Sequence, residues 1–195
     1  MFAGKTDELI REINRAEIAK RTCLVFKPRL DDRWGKIDKI RSHSGAEHDA
    51  FPVNHPSEIL DLVSQFLEIN NKLDLVAIDE TQFMDESIVE VVRVLLDADI
   101  PVIFAGLATD FRDEPFGSMP TLLAISDIIE KPTAICTHEE NGKRCGQEAT
   151  KTQRLIKGKP ANYRDPIVLI GDEEQYQARC PKHHQVPGKP KPTIK

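Results

Sequence analysis

The chain has 195 residues, 39% of them apolar, and a formal net charge of −5; that apolar share supports a packed core rather than disorder. A net negative chain has no broad basic field for duplex nucleic acid or an anionic membrane, although a small phosphorylated ligand needs only a few placed cations. No apolar run approaches the roughly 20 residues that span a bilayer, and the N-terminus lacks the pattern of a signal peptide, so the chain is read as cytoplasmic.

In chain order, Leu9, Ile10, Ile13 and Ala16 fall at helical spacing and predict a helix from near Thr6. Thr22 to Phe26 reads as a short buried strand, stopped by Pro28. Residues 29–56 are polar and read as a long loop or a hairpin excursion. Ile59, Leu60, Val63, Phe66 and Leu67 mark a second helix. Leu73 to Ile78 is a strand, Ile88 to Leu96 a third helix, Pro101 to Ala105 another strand, and Thr121 to Ile129 a fourth helix. Strands alternating with helices predict an α/β fold with a parallel sheet covered on both faces, and ligands at the carboxyl ends of its strands. The expected organisation is a nucleotide-binding domain over 1–132, a metal-binding lobe over 133–186 and a disordered tail over 187–195.

Gly4-Lys5-Thr6 opens the first helix and matches the last three positions of the phosphate loop G-x-x-x-x-G-K-[ST]. Backbone N–H groups at such a helix start face phosphates. Lys5 is then expected to reach the β- and γ-phosphates of ATP, and the Thr6 hydroxyl to ligate Mg²⁺. The first glycine of the motif would fall two residues before Met1, and no strand precedes the loop. An N-terminally extended chain is therefore expected to be more stable and more active.

The strand ending at Ile78 runs straight into Asp79-Glu80. An acid at that point forms the second half of a nucleotide site: Asp79 for the magnesium shell, Glu80 to accept a proton from an attacking hydroxyl. For Glu80, position matters more than raised basicity.

Four cysteines stand at 23, 136, 145 and 180. In a reducing compartment they serve as thiols or metal ligands. Cys136 and Cys145 are eight residues apart around Asn141-Gly142, which can turn tightly. Cys180 is followed by His183, with His184 as an alternative. Four such ligands suit a closed, structural Zn²⁺ site. Cys23 lies in a predicted strand and reads as core.

In this order, the pieces resemble the zinc-containing thymidine kinases over nearly the whole chain. The resemblance rests on Met1 to Thr6, Phe26-Lys27-Pro28 with Asp32-Arg33, Ile78 to Phe83, Asp110-Phe111-Arg112 with Glu114 to Gly117, Thr152 to Leu155, and Tyr176 before Cys180. It implies a P-loop NTPase-like sheet with a small zinc lobe and a lasso loop. The implied activity is transfer of the ATP γ-phosphate to the 5′-hydroxyl of deoxythymidine, with Glu80 as the base. Gly4, Lys5, Thr6 and Asp79 would bind ATP with Mg²⁺, and Arg33 and Arg154 would contact phosphates. Met1, Phe83, Leu107, Phe111 and Phe116 would wall the nucleoside, with Tyr176 as a lid. The lasso, from about Lys157 to Tyr176, would add Ile167 and Leu169. Cys136, Cys145, Cys180 and His183 match the zinc positions. The resemblance further implies a homotetramer inhibited by dTTP, with neither nucleic acid nor membrane as partner. Ala108 stands where the family usually has an acid, and Asp113 where it has glycine; both changes bear on substrate affinity. Two competing expectations are a P-loop ATPase whose lobe binds something else, and an impaired or non-catalytic nucleotide-binding subunit.

Overall fold

The computed structural model describes residues 2–30, 38–168 and 174–190. The chain divides into two compact units. One comprises Gly4–Ala108 with Phe116–Ile129; the other gathers Phe2, Ala3, Thr109–Pro115 and the described residues beyond Ile129.

The first unit begins with helix α1 (Lys5–Ile18), whose buried side is Leu9, Ile10, Ile13 and Ala16. Strand β1 (Cys23–Pro28) follows, then a hairpin of β2 (Lys39–Arg41) and β3 (Glu47–Asp49), and strand β4 (Phe51–Val53). Next come helix α2 (Ser57–Asn70), strand β5 (Leu75–Ile78), a single 3-10 turn (Thr81–Phe83), helix α3 (Ile88–Asp97), strand β6 (Val102–Phe104) and helix α4 (Met119–Ala124). The sheet is parallel in the order β4-β1-β5-β6, with Phe26 opposite Phe51 on one side and Ile78 on the other.

The two-residue alternation of a strand sorts the core into halves. Leu24, Phe26, Val76 and Ile78 pack with Ile59 and Val63 of α2 and Ile88, Val91 and Leu95 of α3. Val25 and Ala77 face the other way, toward Leu9, Ile10 and Ile13 of α1 and Ile40 of β2. With both faces covered, β5 is buried at every position.

The expected helices and strands are present, but β1 runs on through Pro28, which pairs with Val53, instead of stopping before it, and there are three further differences. The polar stretch contains the hairpin but also β4, an edge strand whose Pro52 needs no outward donor. β5 starts two residues later than expected: the Asp74 N–H still bonds the Thr22 carbonyl, but the Thr22 N–H goes to the Asp74 carboxylate rather than to a strand carbonyl. The fourth helix spans Met119–Ala124 rather than 121–129, with Pro120 in its first turn.

The second unit is built from short antiparallel strands: β7 (Ala134–Ile135), β8 (Glu139–Glu140), β9 (Lys143–Arg144), β10 (Glu148–Ala149), β11 (Lys151–Ile156), β12 (Lys159–Pro160) and β13 (Glu174–Arg179). β11 is central between β12 and β13, and β7 pairs with β10. β8 and β9 are joined through Asn141 and Gly142, at φ 51° and 73°. Two positive φ values in a two-residue loop are the tight hairpin turn that Asn-Gly favours. Among the described residues, no helix is long and apolar enough to cross a membrane.

Candidate functional site

In the first unit, the start of α1 and the end of β5 meet. Gly4 caps α1 at φ 76° and ψ 18°, a left-handed conformation that glycine adopts without a Cβ clash. That turn opens the helix with its first N–H groups unclaimed by helical bonds, the geometry suited to an anion. The Thr6 hydroxyl donates to Asp79 Oδ2 at 3.1 Å. Asp79 is buried, and its Oδ1 also accepts the Glu80 N–H at 2.9 Å. Lys5 is half-buried at the same helix start.

Glu80 has φ 49° and ψ 39°, left-handed for a residue that carries a Cβ. Such conformations persist only where surrounding bonds over-determine them, and they gather at functional sites. Here the bonds come from the next two residues. Thr81 sends its N–H and its hydroxyl to the Ala105 carbonyl at 3.0 and 3.1 Å. Gln82, only 3% exposed, donates through Nε2 to the Glu80 carboxylate, and its Oε1 accepts the Leu107 N–H at 2.9 Å. Two glycines make space around Gln82, Gly106 for its side-chain amide and Gly117 for its backbone carbonyl. A Cβ on Gly106 would lie 2.7 Å from Gln82 Oε1 and 2.9 Å from the Met119 sulfur, and one on Gly117 would lie 3.0 Å from the Gln82 carbonyl. Gln82 is the orienting residue that sequence reasoning missed. Its only signal was membership of the Ile78–Phe83 run.

Of the residues expected at the nucleoside, Phe83 and Phe116 pack edge to face, with centroids 5.6 Å apart. Leu107 lies in the same unit, its backbone N–H bonded to Gln82 Oε1. Phe111, Ile167 and Tyr176 belong to the second unit. Phe111 is buried there, with the Arg154 guanidinium 5.0 Å above its ring. Arg154 is itself fully buried, donates to the Pro166 carbonyl, and stands opposite Tyr176 in the β11–β13 register. Ile167 is exposed. Met1, Arg33 and Leu169, together with the lasso residues 169–173, lie outside the described residues.

The second unit also brings the expected metal ligands together. The donor atoms of Cys136, Cys145, Cys180 and His183 all lie within 4.8 Å of one another. Individual separations are 3.4 Å for Cys180 Sγ to His183 Nδ1, 3.7 Å for Cys136 Sγ to the same nitrogen, and 4.0 Å between the Cys145 and Cys180 sulfurs. A tetrahedral Zn²⁺ with its usual bond lengths needs donor separations of about 3.5–3.8 Å. The donor set therefore fits a closed four-coordinate cation and can hold a metal. His184 takes no part: its Nε2 donates to the Phe111 carbonyl at 2.9 Å.

The thiols show why a cation suits this cluster. Burial opposes ionisation of Cys136, but N–H groups of Cys180 and His138 and the His183 ring outweigh it and hold that thiol down to about 6. The Gln147 N–H favours the Cys145 thiolate, yet burial and the neighbouring Cys136 and Cys180 sulfurs push its pKa up overall. One thiolate forms readily and resists a second, until a positive ion joins them.

Known proteins point the same way. A family model described as thymidine kinase matches residues 1–184. A protein named thymidine kinase from Coprothermobacter proteolyticus is 48% identical over 189 residues, covering 97% of this chain and 88% of that protein.

Proposed function

The chain belongs to the thymidine kinase family, and from that premise we propose that it transfers the γ-phosphoryl group of ATP to the 5′-hydroxyl of deoxythymidine, giving dTMP and ADP. The observation that carries this reading is the Thr6–Asp79 bond, with Glu80 next in the chain.

In this reading the α1 N–H groups and Lys5 hold the β- and γ-phosphates, and Gly4 allows the turn that aims them. Thr6 and Asp79 would hold the Mg²⁺ that accompanies ATP. When bound there, Mg²⁺ would offset the negative charge of the phosphates. Glu80, oriented by Gln82, takes the proton of the 5′-hydroxyl as that oxygen bonds to the γ-phosphorus and the bond to ADP breaks. Arg33 and Arg154 remain proposed phosphate contacts. Met1, Phe83, Leu107, Phe111, Phe116, Ile167, Leu169 and Tyr176 remain proposed nucleoside contacts.

Zn²⁺ is proposed as the metal of the Cys136, Cys145, Cys180 and His183 cluster. With no fourth position left for water it would be structural. Homotetramer assembly, feedback inhibition by dTTP and a cytoplasmic location complete the proposal.

The test is transfer of labelled phosphate from ATP to deoxythymidine by the wild type and by Glu80→Gln. The variant keeps the shape and loses the base, so kcat should fall on the order of 10²–10⁴-fold with ATP binding retained. A wild type that labels no deoxythymidine ends the proposal; an active Glu80→Gln ends the role of Glu80.

A further inference from the structure

The residues that follow the metal knuckle make a chain of contacts in the second unit. His184 Nε2 donates to the Phe111 carbonyl at 2.9 Å. The Gln185 N–H donates to Gln153 Oε1 at 2.8 Å, and Gln153 Nε2 returns a bond to the Gln185 carbonyl at 2.9 Å. Gln153 is buried, so this reciprocal amide pair is shielded from water. The Pro187 carbonyl accepts the Tyr163 N–H at 2.8 Å. Gly188, at φ 79°, passes so close to Asn162 that a Cβ would sit 3.1 Å from its amide. Lys189 Nζ then donates to the Arg112 carbonyl, lies 3.4 Å from the Asp113 carbonyl and pairs with Glu114 at 3.1 Å.

The loop Thr109–Pro115 explains what these contacts achieve. Its own turn uses the Asp110 carbonyl, for the Asp113 N–H, and the Glu114 carbonyl, for the Asp110 N–H. The Asp110 carboxylate takes the N–H groups of Arg112 and Glu114. That leaves three successive carbonyls, those of Phe111, Arg112 and Asp113, turned outward from the loop. His184 meets the first and Lys189 the other two. From β11, Lys151 holds both Asp113 carboxylate oxygens at 2.7 Å. Asp113 stands at φ 61°, a conformation costly to a residue with a Cβ, so a loop left to itself would relax.

We propose that His184–Lys189 is a strap that sets the conformation of the Thr109–Pro115 loop, and that Lys189 is a positioning residue for the nucleoside, acting through Phe111. The inference rests on the proposed nucleoside role of Phe111. It assigns a function to a segment whose composition, Gly-Lys-Pro-Lys-Pro, suggests only a tail.

Two readouts test it on the full-length protein. The first is amide hydrogen exchange, which needs no substrate. Lys189→Ala should speed exchange at Arg112, Asp113 and Glu114 while the amides of Cys136 and Cys145 keep their wild-type rates. Unchanged exchange at the loop overturns the strap, and so does a uniform rise across the unit, which would mean general destabilisation. The second is steady-state kinetics. Lys189→Ala should raise KM for deoxythymidine about three- to ten-fold, the scale of one partly exposed charged hydrogen bond. KM for ATP and kcat should stay near wild type. Lys189→Arg, which restores a donor and a charge, should recover most of the lost affinity. An unmoved KM for deoxythymidine, or an equal change in KM for ATP, overturns the positioning role even where exchange has risen. If the wild type fails to phosphorylate deoxythymidine, the kinase reading falls, and the exchange experiment still decides whether the strap holds the loop.

Discussion

The Thr6 hydroxyl and the Asp79 carboxylate, 73 positions apart in sequence, meet at 3.1 Å. The contact joins the first turn of α1 to the carboxyl end of β5, where an open parallel sheet presents its ligand site. A hydroxyl and a buried carboxylate so placed offer two oxygens to one hard cation. Thr6→Val keeps the volume and removes the oxygen. It should lower kcat/KM for MgATP by about 10- to 100-fold, the range for loss of a hydrogen bond to a charged group, while KM for deoxythymidine changes little. Kinetics across a magnesium titration check this; wild-type values would remove Thr6 from the nucleotide site.

Gly106→Ala tests the clamp on Glu80. The added methyl group would stand 2.7 Å from Gln82 Oε1 and 2.9 Å from the Met119 sulfur, so something buried has to move. Overpacking of this kind costs about 1–3 kcal/mol, which a denaturant titration reads directly. If the displaced group is Gln82, its bond to the Leu107 N–H is lost and the Glu80 carboxylate loses its orienting donor. kcat should then fall more than the stability loss alone explains. Unchanged stability and turnover would show that Gln82 is free to shift.

The large elements of the first unit were legible because their patterns are long. Leu9, Ile10, Ile13 and Ala16 repeat at helical spacing, and Leu75–Ile78 is an unbroken apolar run ending in acids. β4 was not legible: three residues with a central proline, set in a polar stretch, carry no period. The second unit hid its strands for the same reason, since five of its seven are two residues long. Chemistry-bearing residues fared better than geometry. Cys136, Cys145, Cys180 and His183 were identifiable by type, and the choice between His183 and His184 needed the bond from His184 to Phe111. Gln82 and Lys189 were silent, because an amide and a lysine gain meaning only from the atoms that their folds place beside them.

Metal removal should unfold part of the second unit. The four ligands come from the residue after β7, the β9–β10 turn and the knuckle after β13, and the apolar support around them is small: Ala134, Ala149 and Ala178, with Ala3 beside them. Alanine side chains bury too little surface to hold such a cluster unaided. The purified protein should carry about one Zn²⁺ per chain. A strong chelator, or Cys145→Ser, should lower the melting temperature and speed amide exchange over Ala134–Ala149. Folded protein with no bound metal and an unaltered melting curve would refute the structural role.

Asp74 should give the first unit a stability that acid removes. Its Oδ1 pairs with Lys72 at 2.6 Å, and its Oδ2 accepts both the N–H and the hydroxyl of Thr22 at 3.0 Å. The Lys72 ammonium first, and then the Thr22 N–H, hold the carboxyl down to about 2, against about 3.9 in an unfolded chain. Between those values the unfolded chain binds more protons than the folded one, so stability rises with pH there. The contribution is therefore full above about pH 4 and lost as pH falls through about 2. Asp74→Asn keeps an acceptor for Thr22 but cannot ionise. The difference in unfolding free energy between wild type and variant should be flat from pH 7 to about pH 5 and shrink below about pH 4. Lys72 is exposed, so part of the difference should be screened by salt. A gap between the two proteins that stays constant down to about pH 2 would show that Asp74 titrates alike in both states, and that Lys72 and Thr22 do not favour its charged form.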